Sequence, residues 1–271
     1  MAYSILHPVQ SMTPKSLISP ISFGRNLQIA SLTIATLLLT SLAVVALAGA
    51  SGDDDDDDDG DDATYRITII NLTPGQAFTP PVIATHSRSI NIFTLGEEAS
   101  MLVQEVAENG NNDPLVMALE ANGRVEDVVV GMAPLVPANN PGSTAFSHIA
   151  VFTISAEDAK FISFISMLIC TNDGFTGLDS VRLPKNSVTL LARAYDARTE
   201  MNTEDFADMV PPCQGLIGVS SADGGTGMTD PALAEDGIII PHPGIIGGAD
   251  LLPGVHGWND PVAKIIIERI D

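Results

Sequence analysis

The sequence predicts an all-β protein, an antiparallel β-sandwich with short helical insertions, preceded by a signal peptide and an acidic linker. Three observations carry this. Segments rich in Val, Ile and Phe recur along the chain, at Tyr65–Asn71, Val125–Met132, Ala145–Ile154, Phe161–Thr171, Ser187–Tyr195 and Ala263–Ile270, as strands do. Pro, Gly and Asn turns separate them, and only the stretch from Gly96 to Asn122 carries a helical period. Short strands between turn signals describe two packed antiparallel sheets better than alternating βα units. With 45% hydrophobic and 17% charged residues the chain has enough apolar material for a real core.

Residues 1–50 hold Lys15 and Arg25, no acid, and an apolar run from Leu27 that closes on Ala48-Gly49-Ala50. A basic start, an apolar middle and a small-residue end make an export signal cut after about Ala50. A run of about 20 apolar residues also has the length of a retained membrane anchor, although Ser31, Thr33 and Thr36 within it and its small-residue exit favour cleavage. On either reading the rest of the chain lies outside the cytoplasm, secreted, periplasmic or at the cell surface, and the mature domain does not insert into the membrane.

Residues 51–63 form the linker. Asp53–Asp59 are seven consecutive acids, followed after Gly60 by Asp61 and Asp62, a self-repelling run that reads as a solvated spacer. Asp55, Asp57, Asp59 and Gly60 imitate half of an EF-hand loop, but Arg66 stands where a bidentate Glu is required, so the match is accidental. Without residues 1–50, 10 basic residues face 34 acidic ones, a formal charge of −24. That surface repels phosphate backbones and anionic lipid and excludes nucleic acid as a direct partner.

Residues 64–271 make one domain. Tyr65, Ile67 and Ile69 alternate along a half-buried opening strand. Leu72–Pro81, with three prolines and a glycine, is a turn-rich excursion, and Asn71-Leu72-Thr73 is a glycosylation sequon for a host that has the machinery. Ala99, Leu102, Val103 and Val106 recur at helical spacing, and Asp113-Pro114 opens a second helix. Both helices stop at Asn-Gly pairs, Asn109-Gly110 and Asn122-Gly123. Residues 204–252 read as loop. Cys170 and Cys213 are the only cysteines. One disulfide and two buried thiols stand as equal readings, because spacing alone does not place the two Cα atoms.

The candidate site lies at an acidic corner. Phe161–Thr171 reads as a strand, Asn172-Asp173-Gly174 as its closing turn, Leu178–Leu183 as a short return and Val188–Tyr195 as a third strand. In an antiparallel meander the two outer strands end on the same side, which gathers Asp173 and Asp196 at one edge, with Asp179 beside them and Glu200 within reach. Carboxylates held together repel unless a cation neutralises them or their pKa values rise. A hard oxygen-loving ion, Ca²⁺ before Mg²⁺, suits them, while ordinary turn chemistry of Asp and Asn is the alternative.

The same corner resembles the spondin N-terminal domain of the F-spondin/mindin type. The resemblance runs through Asn71-Leu-Thr-Pro-Gly-Gln76 and Phe78-Thr-Pro-Pro81, then Ser166-Met-Leu168 and Thr171-Asn-Asp-Gly-Phe-Thr-Gly-Leu-Asp179. It continues in Tyr195-Asp-Ala-Arg-Thr-Glu200, His242-Pro-Gly-Ile245 and Trp258-Asn-Asp-Pro-Val-Ala-Lys-Ile-Ile-Ile267. It covers about residues 64–271, in a short form similar to bacterial stand-alone members. The resemblance implies a C2-like sandwich in an extracellular protein with calcium in its loops, and carries acids of the family's motifs onto Asp173, Asp179 and Asp196. Arg198 stands where Gly is usual and would place a bulky cation beside the ligands. Gly174-Phe175 replaces the aromatic that follows the acid in animal members.

No Gly-x-Ser-x-Gly elbow occurs, and His86, His148, His242 and His256 lack zinc spacing, the last two reading as loop anchors. No glycine loop links a strand to a helix for phosphate. With no catalytic motif the chain is read as a non-enzyme: a calcium-binding adhesion or recognition module of the cell envelope or extracellular matrix. Its partner would be an extracellular or cell-surface protein or glycan. The alternatives are a hydrolase of cell-wall or matrix polymers working through paired carboxylates, and a structural matrix protein.

Overall fold

The computed structural model describes residues 63–139, 145–219 and 223–271, so the expected signal peptide and all of the acidic linker except Ala63 lie outside the described residues. Among the described residues the chain runs β1 (Thr64–Asn71), β2 (Val82–His86), α1 (Met101–Asn109), α2 (Asp113–Glu120), β3 (Val125–Val130), β4 (Ile149–Ser155) and β5 (Phe161–Met167). It continues β6 (Gly174–Arg182), β7 (Ser187–Ala192), β8 (Ala194–Asp196), a 3-10 turn at Phe206–Asp208, α3 (Cys213–Ile217), β9 (Ile240–Pro241), α4 (Pro253–His256) and β10 (Ala263–Arg269).

The strands form two antiparallel sheets, one ordered β4-β1-β10-β7 and the other β3-β2-β5-β6-β8-β9. The small sheet is amphipathic. Tyr65, Ile67, Ile69, Ile265 and Ile267 turn inward onto Ile83, Ile162 and Phe164 of the large sheet and make the core between the layers, while Arg66 and Glu268 pair on the outer face at 3.6 Å, the alternation expected of a strand with one wet side.

The large sheet is covered on both sides. Its outer face receives Val103 and Val106 of α1 and Leu115 and Leu119 of α2 against Val82, Ala84, Ile165 and Phe175. This explains β2, which the sequence did not announce: all five residues are buried, so no alternation marks it. Ser100 caps α1 through its Oγ, which accepts from Val103 N, and Gly110 ends it at φ +62°, the left-handed conformation that favours glycine.

The expected third strand divides in two. Val188 and Leu190 pack into the inter-sheet core as part of β7, which pairs with β10; after Arg193 the chain changes sheets and β8 pairs with β6. Cys170 and Cys213 are bonded. Their bridge ties α3 to the β5–β6 turn inside a third apolar cluster with Met167, Phe206, Met209 and Leu251. The sequon is structural: Asn71 is buried, and its Nδ2 donates to the carbonyls of Gln76 and Leu135 at 2.7 and 3.0 Å.

Candidate metal centre

The turn between β5 and β6 is built by its own side chains. Thr171 Oγ1 donates to Leu168 O at 2.7 Å and accepts from Gly174 N at 2.9 Å, and Asn172 Oδ1 accepts from Thr203 N at 3.0 Å. This holds Asp173 immediately before β6, fully buried. Its Oδ2 accepts from the backbone N–H groups of Thr199 and Glu200 at 2.7 and 3.0 Å. Its Oδ1 is buried without any hydrogen-bond partner.

Asp196 ends β8 opposite Gly174. Its Oδ1 accepts from Arg198 N and its Oδ2 from Asn202 Nδ2, both at 2.8 Å. Burial, reinforced by the Asp196 charge, raises the Asp173 carboxyl to about 7, against the lowering effect of the Thr199 and Glu200 N–H groups. Two acids from separate strands thus share one low-dielectric corner, one of them with an idle oxygen, and burying an acceptor unpaired is unfavourable by about 1–3 kcal/mol.

The structure separates the other two predicted ligands. Asp179 stands five residues along β6 from Gly174, roughly 17 Å at the rise of a strand. It serves the loop before α1 instead, where its Oδ1 accepts from Ile92 N at 2.6 Å and from Ser163 Oγ at 3.3 Å. The reason is the ladder: β6 begins at Gly174, so Asp179 falls within the strand rather than at its start. Glu200 lends its backbone to Asp173 but turns its carboxylate away, accepting from Asp230 N at 2.7 Å. Burial first, then the charges of Glu108, Asp230 and Asp208, raise Glu200 to about 7.

Arg198 also departs from expectation. It has φ +57°, which gives a physical reason for a glycine at this place. Its guanidinium points to Glu235, with Nε at 2.9 Å from Oε2, rather than to the acids. His242, read as a loop anchor, joins the corner. Its Cδ2 lies 3.0 Å from where a Cβ on Gly174 would stand, so that position tolerates no side chain. The ring is buried against Trp258 at 4.9 Å, its Nδ1 accepts from Gly244 N at 3.0 Å, and its Nε2 has no partner. Burial pushes its pKa down to about 4, against the upward pull of Asp196, Glu204 and Asp260. The neutral ring therefore carries its proton on Nε2. Its membership in the His242-Pro-Gly-Ile245 motif was the available signal.

The donor set suits a hard divalent cation: Asp173 Oδ1 is an uncommitted carboxylate oxygen and the Asp196 carboxylate lies beside it. Among the described residues, the acids whose ligand atoms lie within 4.8 Å of one another in a group of three are Asp205, Asp223 and Asp250, a solvated cluster in which Asp205 caps the 3-10 turn.

The family model described as Spondin_N matches residues 71–201, a span that contains Asp173, Asp196 and the loop to Glu200. No curated protein matches the chain. No helix among the described residues is long and apolar enough to cross a membrane.

Proposed function

The chain carries a spondin N-terminal domain, a domain type of extracellular recognition and adhesion, and from that premise we propose that it is an exported, calcium-binding recognition module. Its place would be the cell envelope or the extracellular matrix. The observation that carries this reading is the buried, unpartnered Asp173 Oδ1 beside Asp196. Asp173 and Asp196 would hold the ion, with loop carbonyls and water completing roughly six to eight oxygens.

Bound calcium supplies the positive charge that offsets the two carboxylates. The protein's part is positional. Thr199 N and Glu200 N hold Asp173 Oδ2 so that Oδ1 faces the corner, and Arg198 N and Asn202 Nδ2 orient Asp196. The loop from Ala197 to Thr203 hangs on these bonds, so the ion would order a surface through the groups it draws together. A cell-surface protein or glycan is the partner class for that surface. The test is capture of surface components on the immobilised domain with calcium and with chelator. Calcium-dependent capture lost in Asp173→Asn supports the reading, and equal capture in both conditions overturns it.

A further inference from the structure

One concave face of the domain carries no charge. Four stretches meet there: Thr79-Pro80 ahead of β2, Asn109-Gly110 at the end of α1, Pro134 and Phe146 between β3 and β4, and the residues around α3. They enclose a pocket of about 420 Å³, in the lower part of the roughly 300–1,000 Å³ range of small-molecule sites. Thr79, Ile169, Val210 and Leu216 form its buried floor, and Phe146, Pro211, Pro212 and Gly227 its exposed rim. None of the 12 lining residues is charged, in a chain with 12 Lys and Arg and 34 Asp and Glu. An ionised ligand would find no counter-charge here.

The walls are fixed before any ligand arrives. Cys170, next to Ile169, is bonded to Cys213, which lies between Val210 and Leu216, so the bridge ties the floor together. Pro80, Pro134, Pro211 and Pro212 stiffen the sides, each with its φ locked by the ring. A pocket built this way loses little conformational freedom on filling.

Hydrogen bonding and charge select the occupant. The polar groups of the floor and sides are already committed: Thr79 Oγ1 accepts from Met167 N at 2.9 Å, and Asn109 Nδ2 donates to Thr229 Oγ1 at 3.1 Å. On the backbone, Ile169 N donates to Ala77 O, Val210 O accepts from Cys213 N, and Leu216 N donates to Pro212 O. A peptide laid here would therefore bury N–H and C=O groups without partners. An ionised lipid would approach a chain of formal charge −22 with no Lys or Arg in the lining to receive it. An uncharged hydrocarbon incurs neither cost and gains from leaving water.

We propose that this pocket binds an uncharged, hydrocarbon-rich small molecule, a single ligand per chain. Asp173 and Asp196 take no part in it, so this ligand site goes beyond the calcium reading and does not rest on it.

The test uses residues Asp56–Asp271, which form a compact unit of their own and leave out the apolar run after Leu27. Nile red, an uncharged dye that brightens in apolar surroundings, should bind saturably at a single site per chain. The anionic dye anilinonaphthalene sulfonate should bind about tenfold more weakly at low salt. A Cβ on Gly227 would meet only Pro211 Cδ, at 3.9 Å. Gly227→Phe therefore fits the rim and should lower Nile red affinity about tenfold, the effect of displacing roughly two buried methylenes. Phe146→Asp, at a 40% exposed side chain, should weaken binding as well, whereas Val151→Asp, in the groove between β3 and β4, should not. Melting temperatures check the folding of each variant. Absence of saturable binding, equal affinity for the sulfonate, binding unchanged in both Gly227→Phe and Phe146→Asp, or its loss in Val151→Asp would overturn the proposal. So would a dimer in sedimentation velocity, or flotation with phosphatidylcholine vesicles, that either rim variant abolishes, since these would give the pocket to a second copy or to a bilayer.

Discussion

Gly174 stands opposite Asp196 across the β6–β8 ladder, and on the next rung Ala197 N donates to Asp173 O at 3.2 Å. This pairing closes the acidic corner. It explains why residue 174 has no side chain, since a Cβ there would stand 2.5 Å from Thr171 Oγ1 and 3.0 Å from His242 Cδ2. It also sets which of the acids can act together.

Calcium should raise the melting temperature of the domain. At about 100 times its dissociation constant a ligand stabilises by about 2.7 kcal/mol, which for a domain of this size is roughly 5–10 °C. Asp173→Asn and Asp196→Asn should each abolish the shift, and without calcium Asp173→Asn should melt no lower than wild type because it removes a buried charge. Differential scanning calorimetry with calcium and with chelator decides this; an identical wild-type curve in both would count against the site.

Without calcium, stability should fall as pH rises from about 4 to 7 and level off above that. Asp173 and Glu200 both have folded pKa values of about 7, well above the roughly 4 of an unfolded carboxyl. The folded state therefore binds these protons more tightly, and their contribution, fully present below pH ~4, is lost as pH rises through ~7. His242, pushed down to about 4, acts in the opposite sense between there and the unfolded histidine value of about 6.5, so the fall should be clearest between pH ~6.5 and ~7. Melting temperature across that window should flatten in Asp173→Asn/Glu200→Gln, and a wild-type curve that rises with pH would contradict the assignment.

Asp179→Ala should separate loop support from metal binding. Removing the acceptor of Ile92 N and Ser163 Oγ leaves a donor unpaired and should destabilise by about 1–3 kcal/mol in urea melts. The calcium shift should survive unchanged, whereas its loss would return Asp179 to the ligand set.

Glu235 keeps the Arg198 cation away from the acids. Glu235→Gln should therefore weaken calcium binding several-fold, read by titration calorimetry, while Arg198→Gly leaves affinity near wild type and accommodates φ +57° without a Cβ. An unaffected Glu235→Gln would show that the freed guanidinium does not reach the corner.

Cys170→Ser/Cys213→Ser should lower stability by roughly 2–4 kcal/mol, the entropic scale for a bridge closing a loop of this length. The separation is 43 residues. Because Cys170 lies three residues before Asp173, the calcium shift should shrink as well. Urea midpoints and the calcium melt of the double variant check both.

Local signals made much of this architecture legible. The alternation of Tyr65, Ile67 and Ile69, the helical spacing through Val103 and Val106, and the Asn-Gly stops placed β1, α1 and α2, because each needs only neighbours within a turn or along a strand. The pairing of Asp173 with Asp196 was also legible, since it follows from where two strands end. Sequence order is silent on which sheet a strand joins. Val188 and Leu190 alternate identically whichever layer they complete, so the change of sheets at Arg193, the position of Asp179 within β6 and the outward turn of Glu200 were decided by packing across the core. Tertiary structure alone also brought His242 beside Gly174 and joined Cys170 to Cys213, because those contacts bridge long separations through burial rather than local preference.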